Sequence, residues 1–251
     1  MSLHDQDLAA AFDGQAERFE RAKVARDAVS LARFVAFADL PKGSRVLDAG
    51  CGPGLVAEGF LDAGCEVLGV DLSGEMIRRA RERCARFGER ARFEQKSLHD
   101  LRGEPFDAAL SRNVLHHVED PAAFVRAQVA LLRKGGVLLA SDITADPDPA
   151  RRRWAHQIEL GRDRTHTRTL TPGELVDLFA GAGLADVRLA EEGVELDYDE
   201  WFDRGTPAEA KETVRARLLQ GTARGFAPER RMDGGITIRV LRGVLRGVKR
   251  G

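Results

Sequence analysis

Cysteine is scarce in this chain: Cys51, Cys65 and Cys84 are the only three in 251 residues. They give no disulfide framework and no metal-ligand spacing, and the six histidines show no H-E-x-x-H or comparable pattern, so no metal is expected. Neither sign of charge prevails. With 39 basic and 40 acidic residues the net charge is -1, which draws the protein as a whole neither to nucleic acid nor to an anionic membrane. No apolar run approaches membrane-spanning length, and Met1–Ala11 carry no signal-peptide core. A reducing, cytoplasmic setting is expected. No internal repeat or low-complexity segment is visible. What remains is an ordinary globular composition, 43% hydrophobic and 31% charged, at a length that suits one domain with insertions or a domain plus a lid.

The stretch from Arg45 to Gly54, R-V-L-D-A-G-C-G-P-G, organises the rest. A short apolar strand runs into a turn with glycines at alternate positions, and a helix follows. Such a turn lets the backbone bend sharply and approach a ligand closely. The spacing is not the dinucleotide pattern G-x-G-x-x-G. Asp48 beside the turn would repel a phosphate and favour a cationic or hydroxyl-bearing ligand.

Downstream, strands and helices alternate. Strands are expected at Arg45–Ala49, Glu66–Val70, Ala91–Gln95, Phe106–Leu110 and Val137–Ile143, with helices between them. Ser73 and Asp120 stand as N-caps, and Pro121 takes the first helical position. This alternation predicts a doubly wound α/β fold with a mostly parallel sheet and right-handed crossovers. Ligands then bind beyond the C-terminal strand ends, where Asp48, Asp71, Ser97 and Asn113 all fall. Asp71, about 20 positions past the glycine turn, is placed to accept two ribose hydroxyls.

After residue 143 the periodicity fails. A helix is expected at Arg151–Gly161 and another from Thr171 to near Gly183, followed by a strand at Leu184–Ala190. Asp199–Leu219 reads as a helical insertion, and a last strand is expected around Gly235–Leu245. Residues 5–38 read as two helices before the first strand, the first with Leu8, Phe12, Ala16 and Phe19 at helical spacing and the second, Val24 to Phe37, apolar on one side.

D-x-G-x-G-x-G resembles motif I of class I S-adenosylmethionine (SAM) methyltransferases, and L-H-H-V-x-D-P after the fourth strand is common among the small-molecule members. The run Ile158–Arg168 is similar to the I-E-x-x-R-D-x-S-H-x-R segment of a bacterial subgroup related to the ubiquinone/menaquinone-biosynthesis C-methyltransferases. Asp199-Glu200-Trp201-Phe202 resembles that subgroup's later acidic-aromatic stretch. The resemblance implies a Rossmann-like sheet of seven strands, with residues 1–40 as a helical lid. Residues 41–251 would be the SAM-binding domain, with acceptor-side insertions at about 145–170 and 195–232. It implies SAM as cofactor and S-adenosylhomocysteine as product. Asp48, Gly50, Cys51, Gly52 and Gly54 would surround the methionine part, Asp71 and Leu72 the ribose, and Met76, Ser97 and Leu98 the adenine, with Asn113 at the fourth strand end. At Ser97 the family usually has an acidic residue; this chain offers only a hydroxyl and the Leu98 amide.

In-line methyl transfer needs alignment and exclusion of water, and a base only where the acceptor carries a proton that must leave. His116, His117 and His166 are the candidate bases. Adjacent side chains diverge on a regular element, so only one of His116 and His117 is expected to face the site. Arg162, Asp163 and Arg168 are candidate acceptor clamps, and Phe12, Phe19, Trp154, Trp201 and Phe202 candidate lid aromatics. The leading reading is methylation of an O or C centre on an aromatic, quinone-like or secondary-metabolite acceptor by a monomer or homodimer. One alternative is a SAM-binding protein without transferase activity. The other is an RNA methyltransferase, supported only by the basic residues Arg239, Arg242, Arg246, Lys249 and Arg250.

Overall fold

The structure, a computed structural model, describes residues 2–21 and 27–251; the side chains of residues 19–21 lie outside the described part. Two helices, α1 (Leu3–Arg21) and α2 (Ala28–Ala38), come first. Asp27 caps α2, its carboxylate accepting the Val29 and Ser30 amides. The expected alternation follows: β1 (Arg45–Ala49), α3 (Leu55–Asp62), β2 (Glu66–Asp71), α4 (Gly74–Cys84), β3 (Ala91–Gln95), β4 (Phe106–Arg112), α5 (Pro121–Ala130) and β5 (Leu132–Ile143). Ser73 caps α4 through the Met76 amide, and Asp120 caps α5 through the Ala123 amide, with Pro121 behind it.

The second half contains α6 (Pro149–Arg162), α7 (Pro172–Gly181), β6 (Leu184–Asp197), α8 (Tyr198–Asp203), α9 (Lys211–Leu218), β7 (Phe226–Arg230) and β8 (Ile236–Lys249). Seven strands lie on one path, β3-β2-β1-β4-β5-β8-β6, and the eighth, β7, pairs with β8 off that path. β1 to β5 are parallel, while β8 runs antiparallel to both β5 and β6. Strand order reverses between β1 and β4, so the crevice expected in this class of sheet opens at their C-terminal ends.

Two apolar cores cover the faces of the sheet. One lies under α2, α3 and α4, the other under α5 and α7. A third forms where β6 and β8 continue past the end of β5 and are packed by α6, α8 and α9. It contains Trp201 and Phe202, only 3% and 5% exposed, with Trp154 packed beside them. These three aromatics were expected over the acceptor. They instead build a core, because a pair of strands projecting beyond the rest of the sheet must bury its own apolar face.

β6 is seven residues longer than expected. Its acidic residues face arginines on β8, Glu195 opposite Arg239 and Glu192 opposite Arg242, and the pairs hold the extension together. The basic stretch is therefore not a free face. Arg242 is 3% exposed and bonded to Glu192 and Ser30, and Lys249 donates to the Leu132 carbonyl. No helix among the described residues is long and apolar enough to cross a membrane.

Gly54 caps α3 at φ 79°, and a Cβ there would meet the Ala80 Cα at 3.1 Å. Its role is to let α3 and α4 approach, and it does not line the cavity described below. Gly54→Ala is expected to cost about 2 kcal/mol by chemical denaturation, since a left-handed backbone and a backbone clash coincide. Wild-type stability in this variant would refute the assignment.

Candidate functional site

A cavity of about 360 Å³ opens at the strand ends where the order reverses. That lies within the range of small-molecule sites. Ten of the eleven residues expected around the cofactor line it: Asp48, Gly50, Cys51, Gly52, Asp71, Leu72, Met76, Ser97, Leu98 and Asn113. They come from four separate stretches of chain, at the ends of β1, β2, β3 and β4, and the sheet brings them together.

The glycine turn is fixed from below. The Gly50 and Cys51 amides donate to the Val70 carbonyl at 2.8 and 3.1 Å, tying the turn to the end of β2. Gly50 has φ 75°, and a Cβ there would meet Val114 Cγ2 at 2.7 Å, so no other residue fits without displacing that wall. Asp71 closes the turn from the side: one carboxylate oxygen accepts the Gly52 amide at 2.9 Å and the other the Ser73 amide at 2.9 Å. Each oxygen retains a lone pair for a ligand hydroxyl. Burial raises its pKa, and the backbone hydrogen bonds oppose the rise.

Asp48 is 1% exposed, and its Oδ2 has no hydrogen-bond partner. Burial and then the nearby Asp71 push its pKa up to about 8. Arg112, also on the cavity wall, is buried with Nε and Nη2 unpartnered; burial and then Arg242 lower its pKa to about 10. Sequence reasoning passed over Arg112. Its signal was an arginine just past the expected end of the fourth strand, the edge where ligands bind in this class of sheet. Asn113 has φ 58°, and its amide donates to Ser141 at 2.8 Å, a left-handed step that asparagine tolerates.

Helix α1 lies over the cavity, contributing Leu8, Ala9 and Phe12. It is fastened at three points. Asp13 accepts Ser73 Oγ at 2.5 Å and the Glu75 amide at 3.1 Å. The ring Nε2 of His4 meets the His117 carbonyl at 2.8 Å, and Gln15 bonds with Thr206. Phe12 packs edge-on against the His117 ring, centroids 5.1 Å apart. The Phe19 side chain lies outside the described residues.

The histidines separate by environment. His117 lines the cavity, and His116 and His166 do not. Only one of the adjacent pair faces the cavity, as expected, but on the 3₁₀ turn Leu115–His117 the two rings stay in contact, centroids 4.1 Å apart and planes tilted by 44°. His116 Nδ1 meets Asp142 Oδ1 at 2.6 Å, the His116 side chain 12% and the Asp142 side chain 3% exposed. Burial opposes the imidazolium, but Asp142's charge and hydrogen bond outweigh it and the net pKa is raised. Asp142, unremarked in the sequence, has its pKa lowered; burial opposes this and His116 prevails. Burial, then the charge of His116, pushes His117 down to about 3. His166 is buried with neither ring nitrogen bonded, and burial holds it well below the ordinary histidine range.

The expected acceptor clamps do not converge on this cavity. Arg162 donates to the Trp201 carbonyl at 2.9 Å and stacks over the Trp201 ring at 5.0 Å. Asp163 is 2% exposed and bound to Thr165. Arg168 donates to the Glu119 carbonyl and borders a separate cavity of about 350 Å³ under α6. Arg162 and Trp201 serve the third core, because a guanidinium over an indole is satisfied without a ligand.

The family model described as Methyltransferase domain matches residues 17–189. A ubiquinone biosynthesis O-methyltransferase of Xanthomonas axonopodis pv. citri is 38% identical over 110 residues, 43% of this chain and 46% of that relative. The chain thus spans about half of that relative's length. The uncharacterized methyltransferase YcgJ of Bacillus subtilis is 29% identical over 211 residues, 82% of this chain and 83% of YcgJ. The crystal structure of YcgJ matches with a TM-score of 0.80 at 27% identity, covering 89% of this chain and 99% of that one.

Proposed function

From the premise that this chain belongs to the methyltransferase-domain family, enzymes that use SAM as methyl donor, we propose that its acceptor is a small molecule methylated at an oxygen or carbon centre. The observation that carries this reading is the meeting, in one cavity, of the cofactor-type residues, a helical cover and an imidazole. The relative named for ubiquinone biosynthesis O-methylation supports an aromatic hydroxyl or quinone-like acceptor.

The residues present fit the cofactor. Asp71 would accept the two ribose hydroxyls, and Met76 and Leu98 would flank the adenine. Asp48, with its orphaned buried oxygen, would take the ammonium end. When bound, the cofactor supplies an electrophilic methyl group. The chain's part is to hold the acceptor in line, exclude water beneath α1 and receive a proton. In this reading α1, within the proposed lid of residues 1–40, moves to admit ligands, and residues 41–251 form the catalytic domain. The protein acts in the cytoplasm as a monomer or homodimer, without nucleic acid. The internal pairing of Arg239, Arg242 and Lys249 removes most of the basic face that an RNA substrate would need.

Calorimetric titration of SAM and S-adenosylhomocysteine, followed by a panel of phenols, quinones and amines with labelled SAM, tests the proposal. Labelling confined to amines would overturn it.

Asp48 adds a pH prediction. With its pKa near 8, the carboxyl of the free protein is protonated at neutral pH. A cationic ligand binds the carboxylate, so binding releases a proton. Affinity for SAM is expected to rise by up to about tenfold per pH unit between pH 5.5 and 7.5, below the range where the ligand's own amine titrates. Titration in buffers of different ionisation enthalpy counts the proton. Flat affinity with no proton released would show that Asp48 is already ionised.

A further inference from the structure

The segment Asp163–His166, which the cofactor site does not use, is bonded to His117, the one of the three candidate bases His116, His117 and His166 that lines the cavity. The Thr165 hydroxyl donates to Asp163 Oδ1 at 2.7 Å, and the Thr165 amide donates to the same oxygen at 3.1 Å. A hydroxyl has one proton, so towards His117 Nδ1, 3.0 Å away, Thr165 Oγ1 can only accept. The Thr165 carbonyl, 3.2 Å from the same nitrogen, can also only accept. Two acceptors at Nδ1 require that Nδ1 carry the ring proton. Nε2 is then the lone-pair nitrogen, and among the described residues it has no hydrogen-bond partner. Phe12, edge-on, and the tilted His116 ring pack against it.

We propose that His117, through Nε2, is the catalytic proton acceptor, and that Asp163 and Thr165 are positioning residues that fix its tautomer through a hydroxyl-bridged chain. The inference rests on the methyltransferase reading and narrows the acceptor to one bearing an ionisable O–H or an acidic C–H. In the step, the acceptor's electron pair forms the bond to the methyl carbon as the carbon–sulfur pair leaves to sulfur. The acceptor's proton passes to Nε2. The resulting imidazolium is held by the Asp163 carboxylate through Thr165 and returns its proton to solvent when product leaves. An imidazole this buried gains its proton in concert with transfer, not before it. His116 is paired with Asp142, and His166 lies off the cavity, so neither takes this role.

The test reads the tautomer directly and needs no acceptor. In the full chain with ¹⁵N-labelled histidine, His117 is assigned by loss of its signals in His117→Gln. It is expected as the Nδ1–H form in wild type. In Thr165→Val, a change that preserves shape, the Nδ1 proton should exchange about tenfold faster and the ring should sample both tautomers, which is the loss of about one net hydrogen bond. Thr165→Ser should restore the wild-type spectrum. With an active acceptor, Thr165→Val should lower kcat about 10²-fold while SAM affinity is unchanged. An Nε2–H tautomer in wild type, or wild-type exchange in Thr165→Val, overturns the proposal. A failed SAM titration with the expected tautomer would overturn the methyltransferase reading and leave the hydrogen-bonded chain standing.

Discussion

Replacing Asp71 by alanine should lower the affinity for SAM by about 10²–10⁴-fold in calorimetric titration, enough to remove a measurable isotherm. The magnitude follows from two hydrogen bonds to a charged acceptor, each worth about 1.5–3 kcal/mol. A second effect acts in the same direction. Asp71 holds the Gly52 amide on one oxygen and the Ser73 amide on the other. Without it the glycine turn and the cap of α4 both lose an anchor, and two donors at the cavity edge go unpaired. Asp71→Asn should fall between wild type and alanine, because its carbonyl oxygen keeps one of the two accepting positions and its amide nitrogen cannot accept at the other. Circular dichroism should stay unchanged in both variants, since the sheet does not depend on this contact. Affinity within threefold of wild type for Asp71→Ala would show that the ribose is held elsewhere, and the placement of the cofactor would have to be redrawn.

Asp71 was legible because it follows a rule that is local in sequence: a strand, a turn, a helix, then an acid at the next strand end. The whole parallel half of the sheet was legible for the same reason. What stayed hidden depends on contacts between distant residues. Trp201 reads from the sequence as a lid aromatic, since nothing local says that β6 runs on to Asp197 and needs a core of its own. The basic residues of β8 carry no sign in the sequence of what pairs with them, and only the cross-strand register shows the buried Arg242 to be matched by Glu192. The histidines are the plainest case. A rule about regular elements turned only one of His116 and His117 to the site, which holds, but it did not show that a 3₁₀ turn keeps their rings in contact, tilted by 44°. Their partners, Asp142 and Thr165, stand 26 and 48 residues away. The R-D-x-S/T-H segment was visible as a motif, but its use as a brace for another residue was not.

The other large effect concerns stability. Asp142→Ala should destabilise the protein by about 3 kcal/mol, at the low end of what breaking a buried pair costs, because the histidine left behind can shed its charge. The carboxylate holds His116 at 2.6 Å and the Ile143 amide at 2.8 Å, and its side chain is 3% exposed. The pH dependence identifies the ion pair. His116 has a raised folded pKa, so its contribution is full below the ordinary histidine value of 6.5 and is lost as pH rises through the folded value. Asp142 has a lowered folded pKa, so its contribution is present above the ordinary value of 3.8 and is lost as pH falls through the folded value. The difference between wild type and Asp142→Ala, measured by urea denaturation, should therefore be greatest between about pH 4 and 6.5 and shrink on either side. A difference that stays flat from pH 5 to 9 would mean a neutral hydrogen bond in place of an ion pair. Neither group lines the cofactor cavity, so SAM affinity should survive the substitution at temperatures where the fold does, separating this pair from His117, whose ring faces the cavity.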